Sequence, residues 1–246
     1  MTEPASSRTV HLGQFRLTRL QVVNWGTFCG YKDFRIDDRG VLLTGPSGSG
    51  KSSLMDAHSL VLLPTHDQRF NASADLTARG SKRNTRTIAD YVRGAWSETN
   101  DENEHSQVRY LRGGVPTWSA VAATYDDGGG AVTTAVVVKW FNGVENDGAA
   151  MSTLHQLNDG DFDLQELNGW ADRTFDTRWW KSVNPAAQFP PTQDKYMTEL
   201  AKRIGLSKSR TALALLGKAK AMKNVGDLNL FIRDNMLDRP DTFDDA

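Results

Sequence analysis

The sequence predicts an α/β fold, and three observations in the first part of the chain carry that prediction. Two strand-like runs occur over residues 15–36, where apolar and polar residues largely alternate around an aromatic turn. The short apolar run 41–44 has the composition of a buried strand. A glycine-rich segment, 45–53, then leads into an amphipathic helical pattern over 54–63, which Pro64 ends.

The composition is that of a folded protein with balanced charge. The 246 residues suffice for one large domain or two small ones, and 39% of them are apolar. The net charge is −1, so any binding to nucleic acid has to use a local basic patch. Cys29 is the only cysteine, which excludes an intrachain disulfide and a multi-cysteine metal site. The polar N-terminus and the lack of an apolar run of roughly 20 residues predict a cytoplasmic protein with no membrane partner.

The rest of the chain divides into a β-rich part and a helical part. Residues 118–125 and 131–141 flank a glycine turn and predict a hairpin, and 148–170 are expected to add strands to the same sheet. Residues 87–92 have the pattern of a short helix. Longer helical stretches follow over 196–204, 207–222 and 227–237. The predicted boundaries are a disordered lead-in over 1–11, a first lobe over 12–192 and a helical segment over 193–246.

The glycine-rich segment matches the Walker A pattern of a P-loop, in which two glycines with four residues between them precede Lys-Ser. Glycines let the backbone curl around a phosphate, and the following helix N-terminus favours an anion. We expect Lys51 to reach the β- and γ-phosphates of ATP and to serve catalysis, Ser52 to bind Mg²⁺, and Ser53 to bond the α-phosphate. The predicted phosphate cradle is Gly45, Pro46, Ser47, Gly48, Ser49, Gly50, Lys51, Ser52 and Ser53. The competing interpretation, a strand-to-helix turn that carries a lysine by chance, is disfavoured by the strand and helix patterns around it.

The other parts of an NTPase site are missing from the sequence. The candidate for the acidic residue that holds Mg²⁺ is Asp126 or Asp127, but these follow an alternating strand and precede three glycines, so a hairpin turn explains them better. A signature loop is also absent, because residues 206–209 lack its glycines and suit a helix N-cap. A phosphate cradle without the metal-binding acid and the signature loop is what one half of a split ATPase head would contain.

Several segments resemble the N-terminus of the SMC-like MukB/MksB/JetC group, from about residue 15 to the end, with the MksB and JetC branch (which includes the EptC type) most similar. The segments are 20–28 (LQVVNWGTF), 42–57 (LLTGPSGSGKSSLMDA), 86–94 (RTIADYVRG), 110–114 (YLRGG), 118–121 (WSAV) and 224–237 (NVGDLNLFIRDNML). The group comprises subunits of bacterial condensins and of the Wadjet anti-plasmid defence system.

The resemblance implies an ABC-type ATPase head made from the two ends of a long chain. Residues 12–192 would be its N-terminal lobe, with a mixed sheet around the P-loop helix and an antiparallel β-subdomain, and 193–246 would lead to the coiled coil. The C-terminal half would carry the signature loop and Walker B motif. Two heads would sandwich ATP and Mg²⁺, and hydrolysis would drive extrusion of double-stranded DNA loops at the nucleoid. Kleisin and winged-helix subunits, and in Wadjet a nuclease subunit, would be partners.

The sequence departs from ABC-like heads in one respect. Such heads place a glutamine near Mg²⁺ and the γ-phosphate, whereas residues 206–237 contain none and carry Lys218, Lys220 and Lys223 instead. Gln188 and Gln193 lie upstream as alternatives. The sequence does not assign this role.

Further candidate residues each have a structural alternative. The densest basic stretch predicts contacts with DNA phosphates or a solvated loop, and consists of Arg79, Lys82, Arg83, Arg86 and Arg93. Arg69 suits the nucleotide site or the surface. Trp25 and Phe28 suit packing on adenine or, preferably, core packing, and residues 179–180 suit an interface or the core.

Three functions remain open from the sequence. The first is an SMC-like half-head, an ATPase only when its other half and a second head complete it. The second is a self-contained P-loop enzyme such as a small-molecule kinase, with Asp126 or Asp127 on the metal. The third is a nucleotide-binding scaffold that does not hydrolyse ATP. The missing motifs and the extent of the resemblance favour the first.

Overall fold

A computed structural model describes residues 12–68, 70, 86–100 and 106–206, together with 213 and 217. Some sequence predictions lie outside these residues. They are the lead-in over 1–11, the helix over 227–237, nearly all of the helix over 207–222, and the sites proposed at Arg69, Arg79, Lys82, Arg83, Lys218, Lys220 and Lys223. No helix in the described part of the chain is long and apolar enough to cross a membrane.

The described residues form a mixed α/β structure around a five-stranded sheet. The strand order is β2-β1-β5-β6-β7, and every neighbouring pair is antiparallel. The strands are β1 (Arg16–Val23), β2 (Tyr31–Arg35), β5 (Thr117–Asp126), β6 (Val132–Phe141) and β7 (Ser152–Asp159). A separate two-stranded sheet pairs β3 (Ala95–Asn100) with β4 (Ser106–Tyr110).

The turn between β5 and β6 confirms the predicted hairpin. Asp126 accepts a hydrogen bond from the backbone N–H of Gly128, and Asp127 accepts bonds from the N–H groups of Gly129 and Ala131. These bonds fix the reversal, and ten residues on each strand then pair in continuous register. The strands predicted over 148–170 are only partly present, because β7 ends at Asp159 and short 3-10 helices follow over Leu164–Leu167 and Ala171–Arg173.

One face of the sheet packs against the two longest described helices. Helix α1 (Lys51–Leu62) contacts β5 and β6, and α4 (Gln193–Arg203) contacts β7. The core between them includes Val22, Leu60 and Val137, all buried. The Tyr196 hydroxyl of α4 donates to the Val61 carbonyl at 2.9 Å, so α4 lies against the C-terminal part of α1.

The opposite face is covered by the 3-10 helices and α3 (Thr177–Val183), which bring tryptophans together. The Trp170 ring makes edge contacts with the rings of Trp118, Trp140 and Trp180 at centroid distances of 4.7 to 5.4 Å. Trp180 is fully buried and donates to Gln156 at 2.5 Å. Trp180 is therefore a core residue, whereas Trp179 is half-buried beneath the Arg173 guanidinium.

The prediction of a buried strand over residues 41–44 is wrong for this structure. These residues form no strand, and the side chains of Val41 and Leu42 are 57% and 84% exposed. Residues 41–44 pair with none of the strands in the two described sheets. Leu43, by contrast, is half-buried and packs against the core, so the apolar surface that this segment leaves exposed is that of Val41 and Leu42.

Candidate nucleotide-binding site

The phosphate loop owes its path to three glycines with positive φ. Gly45, Gly48 and Gly50 have φ values of 149°, 81° and 92°, which residues with a side chain rarely adopt. Gly50 is the N-cap of α1, and no side chain caps this helix end or places a negative charge in its first turn. Its first N–H groups and the positive end of its dipole therefore suit an anion supplied from outside.

Lys51 lies across the loop at this helix end. Its ammonium group donates to the carbonyls of Gly45 and Pro46, both at 2.8 Å, and approaches the Ser49 hydroxyl at 3.4 Å. These are neutral partners that a phosphate, with its formal charge, outcompetes for an ammonium donor. The arrangement is thus compatible with the predicted role of Lys51 at the β- and γ-phosphates.

The two serines that follow Lys51 differ in exposure. Ser52 is exposed at the second position of α1, as a hydroxyl that meets Mg²⁺ would have to be. Ser53 is buried, and its carbonyl accepts a hydrogen bond from the Trp25 indole at 2.8 Å. The metal and phosphate contacts predicted for these serines stay predictions. No group of three or more His, Cys, Asp or Glu that could hold a metal occurs among the residues described.

The turn between β1 and β2 packs directly against the phosphate loop. Trp25 is fully buried and stacks on Tyr91, with ring centroids 4.5 Å apart, so it is a core residue and unavailable to adenine. Phe28 is half-buried and lies over Gly50, where an added Cβ would come within 2.8 Å of the ring. Phe28 is therefore the aromatic residue of this turn that borders the site.

Tyr91, on which Trp25 stacks, lies on α2 (Ile88–Arg93). This helix confirms the short helix predicted over residues 87–92. Thr87 and Asp90 form a capping box at its start. The Tyr91 hydroxyl donates to Asp56 of α1 at 2.5 Å. Burial raises the pKa of Tyr91 well above its ordinary value, Asp56 raises it further, and Arg86 opposes both.

Among the basic residues proposed to contact DNA, Arg86 and Arg93 are within the described ranges. Arg93 is fully buried, and its guanidinium donates to the carbonyls of Arg112, Val115, Gly143 and Glu145. Burial lowers the pKa of Arg93 despite the nearby Glu145. A DNA contact through Arg93 is thus a wrong prediction, because this buried side chain joins its own helix to two loops, one at Arg112 and Val115 and one at Gly143 and Glu145. Arg86 is half-buried near the Tyr91 hydroxyl.

The proposed metal acids lie far from the phosphate loop. Asp126 pairs with Arg16 at the start of β1, whereas the turn that touches the loop follows Val23 at its end. The eight residues of β1 separate these positions by about 23 Å at the rise of a β-strand. Asp126 and Asp127 therefore form a hairpin turn and not a metal site for this loop.

The upstream glutamines both contact β7. Gln188 exchanges backbone hydrogen bonds with Leu157 of β7, and the Gln193 side chain bonds His155 at 2.8 Å. Gln193 begins α4, which reaches α1 at Val61, about 15 Å along the helix from Lys51. The contacts described for Gln188 and Gln193 are thus with β7, and the assignment of this role stays open.

Comparison with known protein families agrees with this geometry. A family model described as the P-loop containing region of AAA domains matches residues 17–77, which include β1, β2, the phosphate loop and α1. No curated protein matches the chain. The match and the loop geometry together indicate a P-loop NTPase-type domain with a nucleotide-binding site.

Proposed function

We propose that this chain binds ATP with Mg²⁺ through its P-loop as the N-terminal half of an SMC-like head of the MksB/JetC type, and hydrolyses ATP only when the head is completed. The observation that carries the proposal is that a well-formed phosphate loop follows two exposed apolar residues, Val41 and Leu42, which pair with no strand among the described residues. Lys51 and the uncapped end of α1 supply the phosphate contacts. Val41 and Leu42 expose the apolar surface.

The exposed segment supports the incompleteness of the site. In a P-loop domain the residues before the loop form a strand within the sheet, so that the loop has a rigid support. Here Val41 and Leu42 have that composition but no neighbouring strand among the described residues. Met55, 45% exposed on α1, adds apolar surface beside the loop. A further chain segment that adds a strand beside 41–44 would bury this surface and support the loop.

The position of the acidic residues supports the same conclusion. A hydrolytic site needs a carboxylate on Mg²⁺ and a group that orients the attacking water. Asp126 and Asp127, the acids suggested by the sequence, are occupied in a turn at the far end of β1. This observation weighs against a self-contained kinase and favours an acid supplied from outside. A scaffold that binds ATP without hydrolysis remains the second candidate, since its site needs no such acid.

The cellular role follows from the sequence resemblance. Head engagement around two ATP molecules, with kleisin and winged-helix partners, would power extrusion of double-stranded DNA in plasmid defence or chromosome organisation. In the defence setting a nuclease subunit would act on the captured DNA. Residues 193–246 would connect this lobe to the coiled coil.

The test is ATP turnover by the 246-residue chain at fixed magnesium, with and without the C-terminal head segment of the same protein. Turnover is expected only with the added segment, and Lys51→Ala should abolish it because the phosphates lose their ammonium partner. Leu42→Asp should also abolish it, since a charge on this exposed segment blocks pairing with the added half, while ATP binding by the chain alone persists. Val144→Asp, at a site 60% exposed elsewhere, is the matched control and should retain turnover.

Each result bears on a different part of the proposal. Turnover by the chain alone would overturn the half-head. Binding of ATP without turnover in any combination would favour the scaffold. Failure of the unmodified chain to bind ATP would overturn the nucleotide site itself.

A further inference from the structure

Two buried aromatic residues hold the first turns of the P-loop helix from outside the loop. The Trp25 indole N–H donates to the Ser53 carbonyl at 2.8 Å. The Tyr91 hydroxyl donates to the Asp56 carboxylate at 2.5 Å. The two rings stack nearly parallel, with an interplanar angle of 8°, so the two bonds are parts of one rigid unit, here called the Trp25–Tyr91 stack.

The Trp25–Tyr91 stack is itself fixed by the backbone around it. The Gly26 N–H donates to the Tyr91 carbonyl at 2.8 Å, which ties the β1–β2 turn to α2. The Arg112 guanidinium donates to the carbonyls of Asn24, Gly26 and Tyr91 at 2.7 to 3.1 Å. Three separate segments of the chain thus meet behind the stack, and the position of the stack is set by the whole fold.

The hydrogen bonds from Trp25 and Tyr91 can fix the orientation of the start of α1. Among the described residues no side chain caps the N-terminus of α1, and such a helix end suits a phosphate. Contacts with other parts of the fold can therefore help to fix the direction in which these groups point. The bonds at Ser53 and Asp56 act on the first two turns, directly after Lys51 and Ser52, and so fix that direction.

We infer that Trp25 and Tyr91 are positioning residues for the phosphate loop: they hold the start of α1 in the orientation that binds phosphate, without touching the nucleotide. The inference rests on the proposed nucleotide binding and adds to it the residues that set the affinity. Both side chains are almost wholly buried, at 0% and 1% exposure, which excludes direct contact with a ligand.

Tyr196 provides a matched comparison on the same helix. It is also fully buried, and its hydroxyl also donates to α1, but at the Val61 carbonyl near the C-terminal end. Tyr196→Phe and Tyr91→Phe each remove one buried phenol bond to α1. Loss of general stability is common to both variants, whereas disorientation of the phosphate loop is specific to Tyr91→Phe.

The experiment measures the Kd for Mg·ATP by calorimetric titration, and the urea unfolding midpoint, for the unmodified chain and four variants. Trp25→Phe and Tyr91→Phe should each weaken ATP binding about three- to tenfold, the factor that corresponds to one net hydrogen bond. Tyr196→Phe should lower the unfolding midpoint by a similar amount to Tyr91→Phe and leave the Kd unchanged. Trp140→Phe, in the core on the other face of the sheet, is the tryptophan control and should also leave the Kd unchanged.

If Tyr91→Phe and Tyr196→Phe both lower the unfolding midpoint but keep the Kd of the unmodified chain, the positioning role is overturned and the nucleotide site stands. Equal weakening of binding in all four variants would overturn it as well, because affinity would then follow stability alone. Absence of binding by the unmodified chain would instead count against the proposed function.

Discussion

Gly50 is a residue at which the phosphate loop and the β1–β2 turn are in close contact. Its φ of +92° favours glycine, and an added Cβ would lie 2.8 Å from the Cζ atom of Phe28. Gly30, in the same turn, also has a positive φ, +65°, but nothing lies within 4 Å of an added Cβ. The two glycines therefore share the backbone requirement and differ in the contact with Phe28.

This difference predicts the effects of alanine at each position. Gly50→Ala and Gly30→Ala should each lower stability by about 1–2 kcal/mol, because both force alanine into the left-handed region. Gly50→Ala alone should weaken ATP binding, since the loop or Phe28 must move, and Phe28→Ala in the same chain should restore part of the affinity. Urea unfolding and calorimetric ATP titration measure the two effects. Unchanged ATP affinity in Gly50→Ala would contradict the prediction.

At the scale of elements, α4 is attached to the sheet through a buried histidine. His155 of β7 bonds the Gln193 side chain and stacks on Tyr196 at a centroid distance of 4.8 Å. Burial lowers the pKa of His155 to about 4, although the bond to Gln193 opposes the shift. The ordinary value is about 6.5, so the unfolded chain binds this proton more readily than the folded one.

Proton uptake by His155 on unfolding makes the free energy of unfolding depend on pH. The contribution of His155 to the free energy of unfolding is complete above about pH 6.5. It decreases as the pH falls towards 4, since unfolding then takes up a proton at His155. His155→Gln, which cannot take up this proton, should show a smaller loss of unfolding free energy between pH 7 and pH 5. Urea titrations at both pH values measure it. Parallel losses in the two chains would show that other groups dominate.

Elements determined by short-range chemistry could be predicted from the sequence. The glycine turn with Asp126 and Asp127 predicted the β5–β6 hairpin, and the pattern after Thr87 predicted α2, which a capping box begins. The predicted P-loop helix is present, but α1 begins at Lys51, inside the glycine-rich segment, and not at residue 54. Turn and cap bonds join neighbours in sequence, so their signal is local.

Residues whose partners are distant in sequence could not be predicted in this way. Arg93 lies in a basic stretch that predicts DNA contacts. Its side chain instead donates to carbonyls between Arg112 and Glu145, which are distant in sequence. The support of α1 by Trp25 and Tyr91 likewise depends on α2 returning to the β1–β2 turn. Val41 and Leu42 are the reverse case: their apolar side chains predict a buried strand, but both are exposed and pair with no strand among the described residues.

At the scale of the whole molecule, the sheet joins two kinds of strand pair. The β5–β6 and β6–β7 pairs are formed by consecutive strands, whereas β1 pairs with β5 across the segment that carries the phosphate loop. The family match over residues 17–77 therefore covers β1, β2 and α1 but omits the strands on which they pack. The nucleotide site depends on residues well beyond the matched region, among them Tyr91 and Arg112.

This topology also sets an order of events in folding. Closure of the β1–β5 pair confines a loop of roughly a hundred residues, which costs more chain entropy than the short turns of β5, β6 and β7. We expect the β5–β7 meander to gain protection first in pulse-labelled hydrogen exchange, and β1 and α1 to follow. Simultaneous protection of all five strands would contradict this order. During synthesis, the phosphate loop is made before the β5–β7 meander on which β1 and α1 pack. We therefore expect a nascent chain to gain nucleotide binding only after the meander has been synthesised.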